Sequence, residues 1–596
     1  MRVLIIIVSS ILVLHCAHQR NAIITDITEQ ELYEHVSFLA SDALQGRRAG
    51  TPGDRAAAEY IRNELSKSRL VLLADDGFQY FDVVTSVNAG PSTQLSIAGE
   101  EAILNEDFTV LAYSANASQE AAVVFAGYGF EFETDSLVWN SYADVDVQGK
   151  FVLLLTGDPD PERGPSIFEA FNSMRNKVLK ARDKGAAGVL FVSGPKGDEK
   201  DELTPMTIHQ GTVSAGVQVV HIKRDLADRL LQAKRLTIAD LEERIDTLRK
   251  PHSFELDAKI ELATSVELGT VTTQNVVALL PGNDPLLKDE YIVLGAHYDH
   301  LGMGGPGSGS RRPDTVAVHF GADDNASGVA AILEIVQKLA AEREKLRRSV
   351  VFVAFGAEEM GLLGSKKFTN DPLIDLPKIT FMFNLDMVGS LNPETRSITV
   401  GGTGTAVGLS ELVTQLADTA LLKINQSSEG FGPSDHASFY ARDIPVLFFF
   451  TGVTQEYHTP FDTPDRLNYA GKKLIAEYVY DLVLEMANRS EALVFQEAGP
   501  KSRESSGGRR ALRVTLGIMP DFASQNVKGL RADTVIKDRP ADLAGMKNGD
   551  IIVAIEGKPV NDIYEYMARL QEFKKGQRIS IDVMRGDEKL VLIVEL

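Results

Sequence analysis

From about residue 265 the chain repeats one texture, in which an unbroken apolar run leads into a polar loop and then an amphipathic helical stretch. "YIVLGAH", "SGVAAILEIVQKLAAEREK", "RRSVVFVAFGAEE", "FMFNLDMVG" and "IPVLFFFTG" succeed one another in this way. Strands that are apolar along their whole length need cover on both faces, and strands alternating with helices cross over in parallel. The pattern predicts an α/β unit whose mostly parallel sheet is sandwiched by helices. In such a sheet, chemistry gathers just past the carboxyl ends of the strands. Those ends carry His297 and Asp299 in "GAHYDH", Asp324 in "GADDNASG", Glu358 and Glu359 in "GAEE", Asp386 in "NLDMVG" and His458 in "EYHTPFDT".

Any one of these residues alone reads as a turn or cap. "GADDNASG" by itself could cap the helix that follows, because Asp and Asn are good N-caps. As an ordered set they read differently: two His and three or four carboxylates can hold two divalent ions about 3.5–4 Å apart, one carboxylate bridging. The adjacent Glu358 and Glu359 fit this reading, because neighbouring like charges are costly unless a cation or a proton is supplied. Adjacent residues of an extended chain project to opposite sides, so one carboxylate can face a metal while the other faces a water. The single cysteine, Cys16, excludes any multi-thiolate site and leaves His and carboxylate as ligands.

"AHYDH", "GADDNASGV", "AFGAEEMGLLGS", "NLDMVG", "SDHASF" and "YHTPFDT", in this order, resemble the zinc aminopeptidase family that contains aminopeptidase Y and the bacterial leucyl aminopeptidases. The resemblance covers about 27–115 and 265–492. It implies two zinc ions per chain, with His297 and Asp386 on one, Glu359 and His458 on the other, and Asp324 bridging. It also implies Asp299 as the carboxylate that orients the His297 ring, Glu358 as general base, and Tyr457 as a donor to the developing oxyanion. Packing of a loop aromatic is the plain alternative for Tyr457. For Asp435 and His436 of "SDHASF" the choice lies between the rim of a substrate pocket and a structural hydrogen-bond cluster. The stretch "LGMGGPGSGSRRPD" lacks the Lys-Ser/Thr ending of a phosphate loop and reads as a flexible rim of the site.

The rest of the 596-residue chain divides by texture, and its length suggests roughly three or four domains. Residues 1–20 read as a signal peptide, with an apolar run too short to span a membrane. Cys16, at the end of that run, stands where a bacterial lipoprotein carries its lipid anchor; the preceding His15 favours ordinary cleavage. The expected location is outside the cytoplasm: periplasmic, outer-membrane lipoprotein or secreted. Residues 27–115 form the first part of the peptidase domain, opening on Thr28 and Glu31 at capping-box spacing. A second helix runs from Gly53 to Leu65. Residues 116–262, with "VVFAGYGFEF" and "GKFVLLLTGDP", resemble an inserted protease-associated domain, in which His209 and His221 read as core or surface residues. Residues 263–492 complete the peptidase, 493–509 read as a linker, and 510–596 resemble a PDZ domain. The PDZ loop near Leu516 to Ile518 would take a peptide carboxylate, from a partner or from the substrate. A net charge of −22 argues against a nucleic-acid partner.

The resulting expectation is an exported dizinc aminopeptidase acting on peptides. A carboxypeptidase or dipeptidase would want basic residues at the site, and Arg311 and Arg312 could supply them. A non-catalytic PDZ scaffold should have lost ligands, and a glutaminyl-cyclase-like transferase should hold one zinc.

Overall fold

The computed structural model describes residues 26–134, 137–160, 167–168, 171–207, 214–499, 501, 514–520, 529–561, 563–570 and 572–596. The expected signal peptide, Cys16, His209 and most of the expected linker lie outside the described residues. No described helix is long and apolar enough to cross a membrane.

Among the described residues the largest sheet has nine strands. Its centre is four parallel strands in the order Ser349–Phe355, Tyr291–His297, Ile379–Leu385 and Val446–Phe450. Alternate residues of these runs pack on opposite faces. Ile292, Leu294, Val350 and Phe352 join the core beneath helices Glu29–Leu39, Pro52–Lys67, Gly328–Ala341 and Tyr469–Asn488. Val293, Val351, Val353 and Phe355 face helices Leu363–Asn370 and His436–Tyr440. Each such side chain contributes about 1.5–3 kcal/mol by leaving water, which is why an uninterrupted apolar run is stable only between two layers. The flanks of the sheet depart from parallel: Val266–Leu280 and Ser397–Gly401 run antiparallel to their inner neighbours. Val266–Leu280 arrives directly from the second sheet, without the crossover helix that parallel pairing requires.

The first helix starts as its sequence suggests. Thr28 Oγ1 accepts from the Glu31 amide at 3.1 Å and donates to the Glu31 carboxylate at 2.6 Å. The second helix runs Pro52–Lys67, capped by Thr51.

A second sheet of eight strands has Phe151–Leu155, Gly188–Val192 and Gln218–Ile222 buried at every residue. It reaches further back along the chain than the expected boundary at 116. Gln94–Ile97 pairs with Phe254–Thr264, and Phe108–Val110 pairs with Gln218–Ile222. Residues assigned by sequence to the first peptidase segment therefore belong to the insert's sheet. The strands concerned are too short to mark a change of texture; what commits them is pairing with strands more than a hundred residues later. A third sheet, of six strands, lies within residues 518–595 over its own core.

The start of the expected linker is packed rather than free. Gln496 N donates to Thr405 O and Gly430 N to Ala498 O, both at 2.8 Å, and the Tyr440 hydroxyl lies 2.8 Å from Ala498 N and Gly499 O. Polar composition concealed this edge, because its bonds are made by backbone.

The third domain docks on the second through two helices. Arg182 of Met174–Asp183 holds Glu565 of Ile563–Leu570 with both nitrogens, at 2.6 and 3.2 Å. Arg569 returns the pairing to Asp183, and Lys180 reaches Glu572 at 2.8 Å. The Glu565 side chain is fully buried and that of Arg182 is 12% exposed, so breaking this pair strands a desolvated charge and costs about 3–5 kcal/mol. Arg182→Glu should therefore release the domain and accelerate proteolytic cleavage within 493–509, and adding Glu565→Arg should slow it again. Equal cleavage of the wild type and both variants would overturn this docking.

Candidate metal centre

The in-register parallel strands bring their carboxyl ends to one level: His297 pairs with Phe355, and Gly295 with Asn384. The loops beyond them converge. His297 Nε2 lies 3.3 Å from Asp324 Oδ1 and 3.4 Å from Asp386 Oδ1. On the other side, His458 Nε2 lies 3.1 Å from Asp324 Oδ2 and 3.3 Å from Glu359 Oε2. Asp324 thus turns one oxygen to each pole. All five residues expected as ligands meet here, with Asp299, Glu358 and Tyr457 beside them.

Two details differ from expectation. The His297 ring is oriented by the Asp299 backbone carbonyl, 3.2 Å from Nδ1, while the Asp299 carboxylate accepts the Glu358 amide at 2.9 Å. That carboxylate therefore steadies the glutamate pair more directly than the imidazole. The pair itself does not sit on extended chain. Ala357 has φ +54°, and the Glu358 carbonyl accepts the amides of Gly361 and Leu362, so a turn separates the two side chains.

Their environments separate them further. Burial pushes the Glu358 carboxyl well above its usual range; His297 pulls it back, and Asp435, Glu359 and Asp386 push it up again. For Glu359, burial and Asp324 push up, but bonds to His300 and His458 hold the group below its usual range. Asp324 is held well down by His297, His300 and His458 against burial. Burial lowers His458, and the bonds from Asp324 and Glu359 outweigh it, bringing the imidazole to about 10. Burial followed by Asp324, Glu359, Asp386 and Glu358 raises Tyr457, which keeps its proton and stacks on the His458 ring at 3.8 Å. Two neighbouring carboxyls pushed in opposite directions are the pattern of one ligand and one proton carrier.

Sequence reasoning missed His300, whose Nδ1 lies 2.7 Å from Glu359 Oε1. Its only signal was position, three residues past His297 in "GAHYDH". It also missed two residues that fix the loops. The Asp462 carboxylate accepts the amides of Asp323 and Asp324 at 2.9–3.1 Å. Asn325 donates to Leu385 O at 2.9 Å and accepts from Met387 N at 3.2 Å, joining the Asp324 and Asp386 loops. The glycine-rich stretch is anchored at the site: Gly309 O lies 3.1 Å from His458 Nδ1, and Ser310 Oγ lies 2.8 Å from His319 Nε2. His436 stacks on Phe448 at 4.3 Å, and burial lowers it to about 3. His221, in the second sheet, accepts from Thr204 N at 2.9 Å and packs in a core.

The donor set fits zinc. Two groups of three donors share Asp324, His297–Asp324–Asp386 and His300–Asp324–Glu359, and the ligand atoms of each lie within 4.8 Å of one another. The buried Asp386 Oδ1 has no hydrogen-bond partner among the described residues, a lone pair suited to a cation.

Residues 275–483 match the model of peptidase family M28, residues 109–230 that of the PA domain, and residues 515–596 that of the PDZ domain. The chain is 27% identical over 472 residues to "Aminopeptidase YwaD" of Bacillus subtilis (strain 168), covering 76% of this chain and 84% of that one. It is 26% identical over 423 residues to "Aminopeptidase" of Pseudomonas aeruginosa (strain UCBPP-PA14), covering 68% and 67%. The solved structure of a zinc aminopeptidase from Bacillus subtilis aligns with TM-score 0.45 at 23% identity, over 80% of this chain and 100% of that one. All the converging ligand candidates fall within residues 275–483, the segment that matches peptidase family M28, and the same polypeptide carries segments that match the PA and PDZ domain models.

Proposed function

We propose that the protein is an exported dizinc aminopeptidase that hydrolyses the amino-terminal peptide bond of peptides. The observation that carries this reading is Asp324, one oxygen toward His297 and the other toward His458, with Asp386 and Glu359 completing the two poles. Zinc bound there supplies Lewis acidity, polarising a carbonyl and making a water nucleophilic near neutral pH.

The chain's own residues do the rest. Glu358, kept in place by the Asp299 carboxylate on its amide, accepts a proton from the attacking water and returns it to the leaving amine. A carboxyl biased toward its protonated form suits the second half of that exchange. Tyr457, protonated beside His458, donates to the oxyanion. The buried Asp435 carboxyl, close to Glu358 and Asp386, favours a substrate that brings an ammonium group, which supports cleavage from the amino end, as do the names of the relatives. Export rests on the apolar amino-terminal run. The PDZ domain supports capture of a peptide carboxyl terminus.

An end-group assay tests the direction. An unblocked aminoacyl-anilide should be cleaved and its acetylated analogue spared, whereas release from the carboxyl end would sink the aminopeptidase reading in favour of a carboxypeptidase. Glu358→Ala should keep two zinc ions and lose turnover by about 100- to 10,000-fold, while Glu359→Ala should lose metal. Equal metal loss in both would refute the division between base and ligand.

Metal uptake should also depend on pH in a defined direction. His458, at about 10, carries a proton at neutral pH that must leave before its nitrogen can bind a cation. Zinc binding should release protons into weakly buffered solution, and apparent affinity should fall as pH is lowered. Uptake without proton release would contradict this account of the second pole.

A further inference from the structure

The stretch "SDALQGRRAG", residues 41–50, plays no part in the mechanism above, yet it is bonded to the segments that carry His297 and Asp324. Its tight turn, Asp42–Arg47, holds Gln45, Gly46 and Arg47 in left-handed conformations, with φ of 45°, 70° and 49°. For residues other than glycine that conformation costs about 1–2 kcal/mol each, so something must hold it in place.

The Arg47 side chain is wholly buried. It makes no carboxylate pair among the described residues, and its donors go instead to four backbone carbonyls. Nε reaches Tyr298 O at 2.7 Å, Nη1 reaches Leu39 O at 2.5 Å and Phe320 O at 2.7 Å, and Nη2 reaches Gly321 O at 2.9 Å. Tyr298 lies between His297 and Asp299, and Gly321 opens the loop that delivers Asp324. The backbone completes the tie in the other direction: Arg47 O accepts from His300 N at 3.3 Å and Gly46 O from Gly302 N at 3.0 Å. A side chain at Gly46 would meet Gly302 O at 2.4 Å and His319 O at 2.5 Å, so the two segments touch backbone to backbone.

We infer that Arg47 is a positioning residue of the metal centre, whose planar fork sets the spacing between the loop of His297 and the loop of Asp324. As a charge it would oppose the binding of cations nearby. As a fork it fixes the two segments whose separation decides whether one carboxylate can face both poles. Lysine keeps the charge but concentrates its donors at one atom, and cannot span the same acceptors. The inference rests on the two-metal reading of the site.

The test uses the full chain as wild type, Arg47→Lys and, as control, Arg348→Lys. Arg348 is equally buried and also bonds backbone carbonyls, those of Met486 and Arg489, while its Nε holds the Glu290 carboxylate, all away from the site. Zinc affinity by chelator competition and the visible spectrum of the cobalt-loaded protein are the readouts. Arg47→Lys should bind zinc about 10- to 100-fold more weakly and shift the cobalt bands, while Arg348→Lys changes neither, whatever it does to the melting temperature. Wild-type affinity and spectrum in Arg47→Lys, or equal losses in both variants, would overturn the inference. Should Arg47→Lys not fold, amide exchange in the wild type decides. Coupling is reciprocal, so zinc loading should slow exchange across residues 39–50, and unchanged exchange there would overturn the inference. Failure of the two-metal reading would show separately, as a wild type that takes up fewer than two zinc ions; the variants are then compared on whatever metal it binds.

Discussion

The site depends on a crowding of carboxyl groups that are buried or nearly so. Asp324, Asp386, Glu358 and Glu359 converge on His297, His300 and His458 at the ends of strands sealed on both faces, and Asp299 and Asp435 stand close behind. Carboxylates brought this close in a region poor in water must be neutralised by protons or by cations. The imidazoles cover only part of the deficit. The surrounding structure serves to keep these groups from relaxing apart: Asp462 and Asn325 pin the Asp324 loop, Gly309 pins His458, and Asp299 pins the turn of Glu358.

How legible this was in the sequence follows from how each residue is held. His297, Phe355 and Leu385 end apolar runs whose register is set by burial on both faces, so the residues just beyond them could be read from the periodicity alone. Asp324 and His458 sit in longer loops and became readable only as members of an ordered set. His300, Asp462, Asn325 and Arg47 act through bonds to partners 50 or more residues away in sequence, and no local pattern marks them. The same reason explains the two misplaced boundaries. Residues 94–110 and 493–499 look polar or irregular, and their place is set by backbone pairing with remote strands or loops.

The divergence of Glu358 and Glu359 shows a different limit. Alternation along a strand led to the expected separation of roles, but the cause is a turn opened by Ala357 in a left-handed conformation. The division of roles proposed for the pair does not depend on that alternation, because the chemistry requires only that two neighbouring carboxyls face different surroundings.

The tie made by Arg47 has a consequence for the order in which the molecule can assemble. Its acceptors at Tyr298 and Gly321 lie 251 and 274 residues further along the chain, and His35 waits 299 residues for Glu334. Every strand of the second sheet is made within that interval. A chain emerging from its amino terminus can therefore complete the insert while the peptidase core is still open, since domains fold as units during synthesis and long-range closure is slow. The buried guanidinium and the strained turn that carries it stay solvated until the last ligand loops arrive, so the metal centre closes late, around an insert that is already folded.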